Sequence, residues 1–251
     1  MKYSYRDILD SLPVKKNSNS SWWVKLWVRK ISFLFTFIFI NLGFSPNGVS
    51  VISIFVALFS FICFAVPTTW TLVLAIISIN LWLILDCVDG NIARCRKQKT
   101  VYGEFVDDIG GYYVVAFVYL AIAIRAYNDG GVLLNNTNWI IVVGAISCIS
   151  DILARLINKD YGNFSMKRSD YVQTDYTNES KKSLSYVRRR IGKEVGISGA
   201  FMPLTIVSAI FSAYDLMTIF YCAFNVFALV STTMIYIYKA DKYDKEHSKN
   251  E

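Results

Sequence analysis

Residues 85–111 read LDCVDGNIARCRKQKTVYGEFVDDIGG and lie between two long apolar runs. Their charged side chains therefore lie at or just inside a membrane boundary, where ionisable groups are costly and usually functional. Asp86, Asp89 and Asp107 offer hard oxygen atoms beside a cluster of Arg and Lys. This combination suits a divalent cation and a phosphate-bearing substrate.

The composition places most of the chain in a membrane. Hydrophobic residues make up 54% of the 251 residues, and the mean hydropathy of +0.38 is too high for an ordinary soluble domain. The net charge is +7, but the basic residues lie in short segments between apolar runs. Anionic lipid explains that pattern better than nucleic acid does, so we expect membrane lipid and no nucleic acid as a partner.

The apolar runs predict an all-α integral membrane protein with six transmembrane helices and an N-terminal interfacial helix. Some runs are short for a span of about 20 residues, and we expect those helices to continue into the aqueous side at one end. The predicted spans are Val49–Val66, Trp70–Leu85, Ile109–Ile124, Trp139–Ile157, Ser198–Ala213 and Leu216–Tyr238.

The segments outside the spans are polar. Residues 1–46 are predicted to be cytoplasmic and interfacial, residues 47–238 to form the membrane domain, and residues 239–251 to be a polar cytoplasmic tail. The apolar run Ile31–Phe44 has only 14 residues, so we expect it to be interfacial or re-entrant rather than a seventh span. The first 20 residues lack the apolar core of a cleavable signal peptide.

The distribution of positive charge predicts the orientation. Every Lys and Arg except Arg125 falls on one side of the six predicted spans, including ten in the long loop that residues 158–197 are predicted to form with its flanks. The positive-inside rule makes that side cytoplasmic, with both termini inside. We expect a multi-pass protein of a prokaryotic plasma membrane, with its polar site facing the cytoplasm.

Two kinds of site are excluded by residue type. The five cysteines show no C-x-x-C spacing, so we interpret them as buried thiols rather than as disulfides or zinc ligands. The only histidine, His247, lies in the polar tail. Histidine metal sites and Ser-His or Cys-His catalysis are therefore excluded.

The spacing of residues 86–107 resembles the signature of the CDP-alcohol phosphotransferase (phosphatidyltransferase) family, D-x2-D-G-x2-A-R-x8-G-x3-D-x3-D. Seven fixed positions match in order with all intervals kept: Asp86, Asp89, Gly90, Ala93, Arg94, Gly103 and Asp107. The place of the motif, between the second and third predicted spans, also agrees with the family.

The resemblance implies a Mg²⁺- or Mn²⁺-dependent transferase of phospholipid or related lipid synthesis. Such an enzyme transfers a phospho-alcohol group from a CDP-alcohol, such as CDP-diacylglycerol, to an acceptor alcohol and releases CMP. Asp86, Asp89 and Asp107 would be metal ligands, and Arg94 would support the phosphates or the carboxylates. Gly90, Ala93 and Gly103 would shape the nucleotide pocket. The family also implies a homodimer.

The sequence departs from the signature at one position, because the fourth Asp falls at 111 and residue 111 is Gly. In the family that carboxylate is a metal ligand and the proposed base. Here Asp107 or Asp108 could take the base role, the acceptor could ionise without one, or turnover could be lost. Asp108 could equally be a solvated or capping residue, and Gly110-Gly111 a close helix contact.

Asp151 and Arg155 are spaced i, i+4, which favours a local ion pair. The alternative is that Arg155 faces the central cavity and binds a phosphate on the acceptor. Two rival functions also stay open. One is a catalytically impaired family member that binds CDP-alcohols or partners. The other is a small transporter, for which Asn80 and Asn225 are the few polar residues inside the spans.

Overall fold

The computed structural model describes residues 3–98, 100–133, 137–167 and 184–247. Over these ranges the chain is helical and contains no strand. Within the described residues, six helical stretches are long and apolar enough to cross a membrane, which confirms the predicted all-α architecture. These candidate spans are Pro46–Ala65, Thr69–Cys95, Val101–Asp129, Trp139–Tyr161, Tyr186–Phe211 and Tyr214–Lys245.

The described ranges contain ten α-helices and two short π-helical segments, Val24–Val28 and Ile197–Phe201. The α-helices are α1 (Tyr5–Asp10), α2 (Val14–Ser18), α3 (Arg29–Asn41), α4 (Pro46–Ala65), α5 (Thr69–Cys95), α6 (Val101–Asp129), α7 (Trp139–Lys167), α8 (Leu184–Val195), α9 (Met202–Phe211) and α10 (Tyr214–His247).

The apolar runs underestimated the lengths of several helices. Helix α5 continues ten residues past Leu85, and α6 begins at Val101 rather than at Ile109, so most of the polar motif is helical. The prediction of a single long loop over residues 158–197 was wrong, because α7 continues to Lys167 and α8 covers Leu184–Val195. The rest of that predicted loop, residues 168–183, and residues 248–251 of the tail lie outside the described residues.

Helices α4, α5 and α6 form the half of the bundle that carries the motif. Helix α4 packs along both α5 and α6, while α7 packs between α6 and α10. Helix α3 lies on α5, and α9 also touches α5. The connections before α5 and α6 are short, and each ends in a threonine that caps the next helix. The hydroxyl of Thr68 caps α5, and that of Thr100 caps α6.

The N-terminal segment is attached to the bundle by its tryptophans and by α3. Trp23 packs edge-to-face on both Trp22 and Trp27, and its Nε1 donates to Asn80 Oδ1 at 3.3 Å. The buried face of α3 carries Arg29, Ser32, Phe33, Thr36 and Ile40. This segment therefore packs on the protein itself.

A kink separates α8 from α9 at Gly196–Gly199. Gly199 has non-helical backbone angles, φ −110° and ψ −116°. A Cβ atom there would lie 2.2 Å from the carbonyl oxygen of Glu194, so the close approach of the two chain segments requires glycine. The fifth candidate span is therefore bent, and the bend places Ser198 beside α5 and the N-terminal segment.

The amides that a transport pathway would need are used in helix packing. Asn80 accepts the bond from Trp23 and donates to the Ile76 carbonyl at 2.9 Å. Asn225 donates to Ser147 Oγ at 2.9 Å, across the α7–α10 contact. Both side chains are buried, and interhelical hydrogen bonds of this kind are common inside membranes.

Buried carboxylate and guanidinium groups tie the helices together at the end of the bundle opposite the motif. Arg125 is 4% exposed, pairs with Asp129 at 2.5 Å and donates to the Val66 carbonyl at 2.7 Å. Asp215 is fully buried and accepts the backbone N–H groups of Val132 and Leu133 at 3.1 and 2.7 Å. These contacts join the α4–α5 and α6–α7 connections to neighbouring helices.

Replacing Asp215 by Ala should destabilise the protein by about 1 kcal/mol or more, because the backbone N–H groups of Val132 and Leu133 lose the buried carboxylate that accepts them. The apparent melting temperature, followed by tryptophan fluorescence, measures the change. Asp241→Ala is the matched control, since Asp241 is exposed and pairs only with Lys245 on its own helix among the contacts described. Equal melting temperatures of the two variants would contradict this account.

Candidate active site

The end of α5 and the start of α6 enclose a cavity of about 630 Å³ with the start of α4. All seven residues of the spacing pattern line it: Asp86, Asp89, Gly90, Ala93, Arg94, Gly103 and Asp107. The prediction that two helices bring these residues to one mouth therefore agrees with the geometry. We call this the motif cavity.

Asp89 is the most enclosed of the carboxylates in the motif cavity. Its side chain is 6% exposed, and its Oδ2 accepts the Ser50 hydroxyl at 2.6 Å. Its Oδ1 accepts the Gly90 backbone N–H at 2.5 Å. Ser50 lies one turn into α4, just after the Ser45-Pro46 helix start. The orientation of Asp89 is therefore fixed from a second helix, which the sequence analysis missed.

Arg94 is connected to α3 through Asn91. Its Nη2 donates to Asn91 Oδ1, and the Asn91 amide in turn donates to Thr36 Oγ1 at 3.0 Å and Ser32 Oγ at 3.3 Å. A Cβ atom on Gly90 would lie 3.2 Å from Nη1 of Arg94. Gly90 therefore leaves room for the guanidinium group as well as for a ligand.

Gly103 lies where the starts of α4 and α6 approach each other. A Cβ atom there would be 3.1 Å from Asn47 Oδ1 and 3.0 Å from Thr100 Oγ1, the hydroxyl that caps α6. The sequence-predicted role of Gly103, to keep the pocket wall open, is consistent with this crowding. Asn47 and Thr100 also line the motif cavity and were not predicted.

Asp86, Asp89 and Asp107 have the right chemistry for Mg²⁺ or Mn²⁺, which prefer carboxylate oxygen ligands. Among the described residues, no three Asp, Glu, His or Cys side chains form a group that could hold a metal ion by themselves. Mg²⁺ usually keeps water and is bound by one or two carboxylates together with substrate phosphate. Three carboxylates lining one roomy cavity fit that mode of binding.

A further cavity of about 400 Å³ adjoins the motif cavity on the side of α7 and the kink. Asp86 and Asp107 line both cavities, whereas Asp108, Gly111 and Arg155 line only this one of the two. We call it the α7 cavity. Asp107 therefore lies between the two spaces, and Asp108 faces away from the motif cavity.

Asp108 and Arg155, for which the sequence left two roles open, both form ion pairs. Asp108 accepts from Lys159 Nζ at 2.8 Å, and Arg155 Nε donates to Asp151 at 2.9 Å. Asp151 also accepts the hydroxyl of Tyr119 at 3.2 Å. The predicted Asp151–Arg155 pair is confirmed, and Arg155 at the same time lines the cavity.

The neighbouring glycines of α6 have different surroundings. A Cβ atom on Gly110 would lie 3.3 Å from Cγ1 of Ile54, so Gly110 is a close contact between α6 and α4. A Cβ atom on Gly111 would have no other atom within 4 Å, and Gly111 lines the α7 cavity. The close-contact interpretation therefore applies to Gly110 and not to Gly111.

Lys16 of α2 is a cation of the motif cavity that the spacing pattern does not include. Partial burial, and then the positive charges of Arg94 and Arg29, lower the pKa of its ammonium group. Lys16 was missed because it lies some 70 residues before the motif, in a helix of five residues.

The sequence profile of CDP-alcohol phosphatidyltransferases matches residues 44–182, more than half of the chain. The chain belongs to the CDP-alcohol phosphatidyltransferase family. None of the curated proteins compared with the chain matches it. The family consists of transferases of lipid synthesis that use CDP-alcohols and alcohols in membranes and generally depend on a divalent metal. Together with the six helical stretches of the described residues that are long and apolar enough to cross a membrane, membership indicates an integral membrane protein.

The difference between the glycines can be tested by stability. Gly111→Ala should stabilise the protein by about 0.5–1 kcal/mol, because alanine is favoured inside helices and the added methyl group meets open space. Gly110→Ala should give a smaller gain or a loss, because Ile54 must move. Apparent melting temperatures of the two variants provide the comparison. A larger gain at position 110 would show that the α4–α6 contact is looser than described.

Proposed function

We propose that this protein transfers a phospho-alcohol group from a CDP-alcohol, such as CDP-diacylglycerol, to an acceptor alcohol with release of CMP. The observation that carries the proposal is the convergence of all seven motif residues on one cavity. In this reaction the acceptor oxygen forms a bond to the phosphorus that carries the donor alcohol. The bond from that phosphorus to CMP breaks, and the acceptor proton passes to a carboxylate.

The carboxylates and Arg94 have distinct proposed roles. Asp86, Asp89 and Asp107 would hold Mg²⁺ or Mn²⁺, which when bound would neutralise charge on the diphosphate. The bonds from Ser50 and Gly90 would keep Asp89 oriented. Arg94, supported by Asn91, would bind phosphate oxygens, and Gly90, Ala93 and Gly103 would border the nucleotide.

We propose Asp107 as the proton acceptor, with Asp108 as the alternative. Asp107 lines both the motif cavity and the α7 cavity, so it is placed between the two spaces in which donor and acceptor would bind. Asp108 is paired with Lys159 and lines only the α7 cavity of the two, so it is less well placed to take the acceptor proton. Arg155 lines the α7 cavity and would face the acceptor.

Orientation and assembly are part of the proposal. The positive-inside distribution supports a motif cavity that faces the cytoplasm, in the plasma membrane of a prokaryote. A homodimer is proposed from family membership alone. We also propose that residues 47–238 form the membrane domain. Helix α3 of the preceding segment packs on α5, and Lys16 lines the motif cavity.

The central test is release of CMP from CDP-diacylglycerol and other CDP-alcohols, in the presence of Mg²⁺ and a panel of acceptor alcohols. Asp89→Asn should lower the rate at least about a hundredfold, because it removes a carboxylate that would hold the metal ion neutralising the diphosphate. Asp241→Asn, far along α10 and exposed, is the control of equal chemistry. An unchanged rate in Asp89→Asn would overturn the assignment of the motif cavity.

Gly111→Asp separates an active enzyme from the impaired family member that the absent carboxylate suggests. If Asp107 serves as base, the added carboxylate should change CMP release by less than about tenfold, with Gly111→Asn as the uncharged control. General bases contribute about a hundredfold to ten-thousandfold. A gain of that size over a near-zero background, specific to Asp, would favour the impaired protein. The open space at position 111 makes either side chain sterically possible.

A further inference from the structure

A third cavity, of about 490 Å³, lies between the N-terminal segment, α5 and the kink before α9. Four cations line it, and Asp86 is the one carboxylate among its described lining residues. The cations are Lys16, Arg29, Arg94 and Lys193. We call this the basic cavity. Its excess of positive charge favours an anionic ligand.

Arg29 is buried without full use of its hydrogen-bonding groups. Its side chain is 7% exposed, and its Nη2 donates to Ser20 Oγ at 2.9 Å. Its Nε is buried and has no hydrogen-bond partner in the described part of the chain, and the same is true of Arg94 Nε. A buried guanidinium with unused donors is costly unless a ligand satisfies it.

Hydrogen bonds hold the walls of the basic cavity together. Ser21 Oγ donates to the Ser198 carbonyl at 2.5 Å, and the Trp22 N–H donates to Glu194 at 2.8 Å. Lys193 Nζ donates to the Asn19 carbonyl at 3.4 Å. These hydrogen bonds fasten the N-terminal segment to the end of α8 and to the kink, so the cavity lies between elements that are held together.

We propose that the basic cavity binds a phosphate group, and that in the proposed reaction this phosphate belongs to the acceptor alcohol. The second part rests on the proposed function. Arginine guanidinium groups match phosphate oxygens in pairs, and lysines add point charge. The acceptor class would then be phosphorylated alcohols rather than plain ones.

The location of the basic cavity supports the acceptor over the donor as the source of the phosphate. It shares Lys16, Asp86, Gly90 and Arg94 with the motif cavity, so its ligand would lie next to the reacting groups. Arg29 and Lys193 do not line the motif cavity, in which the donor is proposed to bind. Lys193 instead also lines the α7 cavity, together with Asp107.

The first measurement is binding of inorganic phosphate to the full chain in nanodiscs of zwitterionic lipid, without CDP-alcohol. Arg29→Gln and Lys193→Gln should each weaken binding at least about tenfold, since each removes a charged hydrogen-bond donor. Lys30→Gln removes the same charge beside Arg29 but from an exposed side chain outside the cavity, and should leave binding unchanged. Lys193 is exposed, so its variant remains informative if Arg29→Gln fails to fold.

The proposal would be overturned if the native chain showed no saturable phosphate binding. It would also be overturned if Arg29→Gln, Lys193→Gln and Lys30→Gln all bound phosphate with the same affinity. Neither result depends on catalysis, so the measurement of CMP release tests the proposed function independently.

The source of the phosphate is decided by competition and by kinetics. Glycerol 3-phosphate should displace inorganic phosphate and glycerol should not, while the affinity for CDP stays the same in Arg29→Gln. Displacement by anionic lipid in the nanodisc would instead assign the site to a lipid headgroup and overturn the acceptor assignment. With a phosphorylated acceptor that supports CMP release, Lys193→Gln should raise KM for the acceptor and not for the CDP-alcohol.

Discussion

The hydrogen bond from Ser50 to the buried carboxylate of Asp89 is the contact on which the motif cavity depends. A carboxylate that is 6% exposed at the end of a membrane helix needs donors, and α4 supplies one at 2.6 Å. Ser45 caps α4, and Pro46 follows in its first turn, so the helix start is fixed only a turn before Ser50. The close contacts at Gly103 and Gly110 then bring α6 against the same helix. One helix start thereby positions residues on two others.

The N-terminal segment contributes side chains to the candidate site as well as being predicted to lie at the membrane surface. Ser32 and Thr36 of α3 bind Asn91, and Asn91 binds Arg94, so the position of the guanidinium is set from outside the region that matches the family. Lys16 and Arg29 add charge from the same direction. The matched residues 44–182 therefore hold the shared motif, while residues before and after them shape the space around it.

The sequence predicted what repeats regularly and missed what depends on long-range contacts. Six apolar runs and the spacing from Asp86 to Asp107 were enough for the fold class and the motif cavity. Helix ends were misplaced because α5 and α6 continue into polar residues, where hydropathy falls but helical hydrogen bonding does not. Ser50, Asn91 and Lys16 carry no local signature, and their role arises from helix packing. Gly110 and Gly111 look equivalent in sequence, but their surroundings differ. A Cβ atom at position 110 would contact Ile54, and one at position 111 would contact no other atom within 4 Å.

The open space at Gly111 and the charges of the basic cavity are related. The carboxylate expected at position 111 would add negative charge to the α7 cavity, which Asp86, Asp107 and Asp108 already line. A carboxylate at position 111 would repel an anionic acceptor, whereas Arg155 and Lys193, which line the same cavity, would attract it. On the proposed reaction, Gly111 therefore lowers the electrostatic cost of bringing a phosphorylated acceptor past Lys193 towards Asp107. In the proposed mechanism, the missing carboxylate would leave proton transfer to Asp107, which lines both cavities.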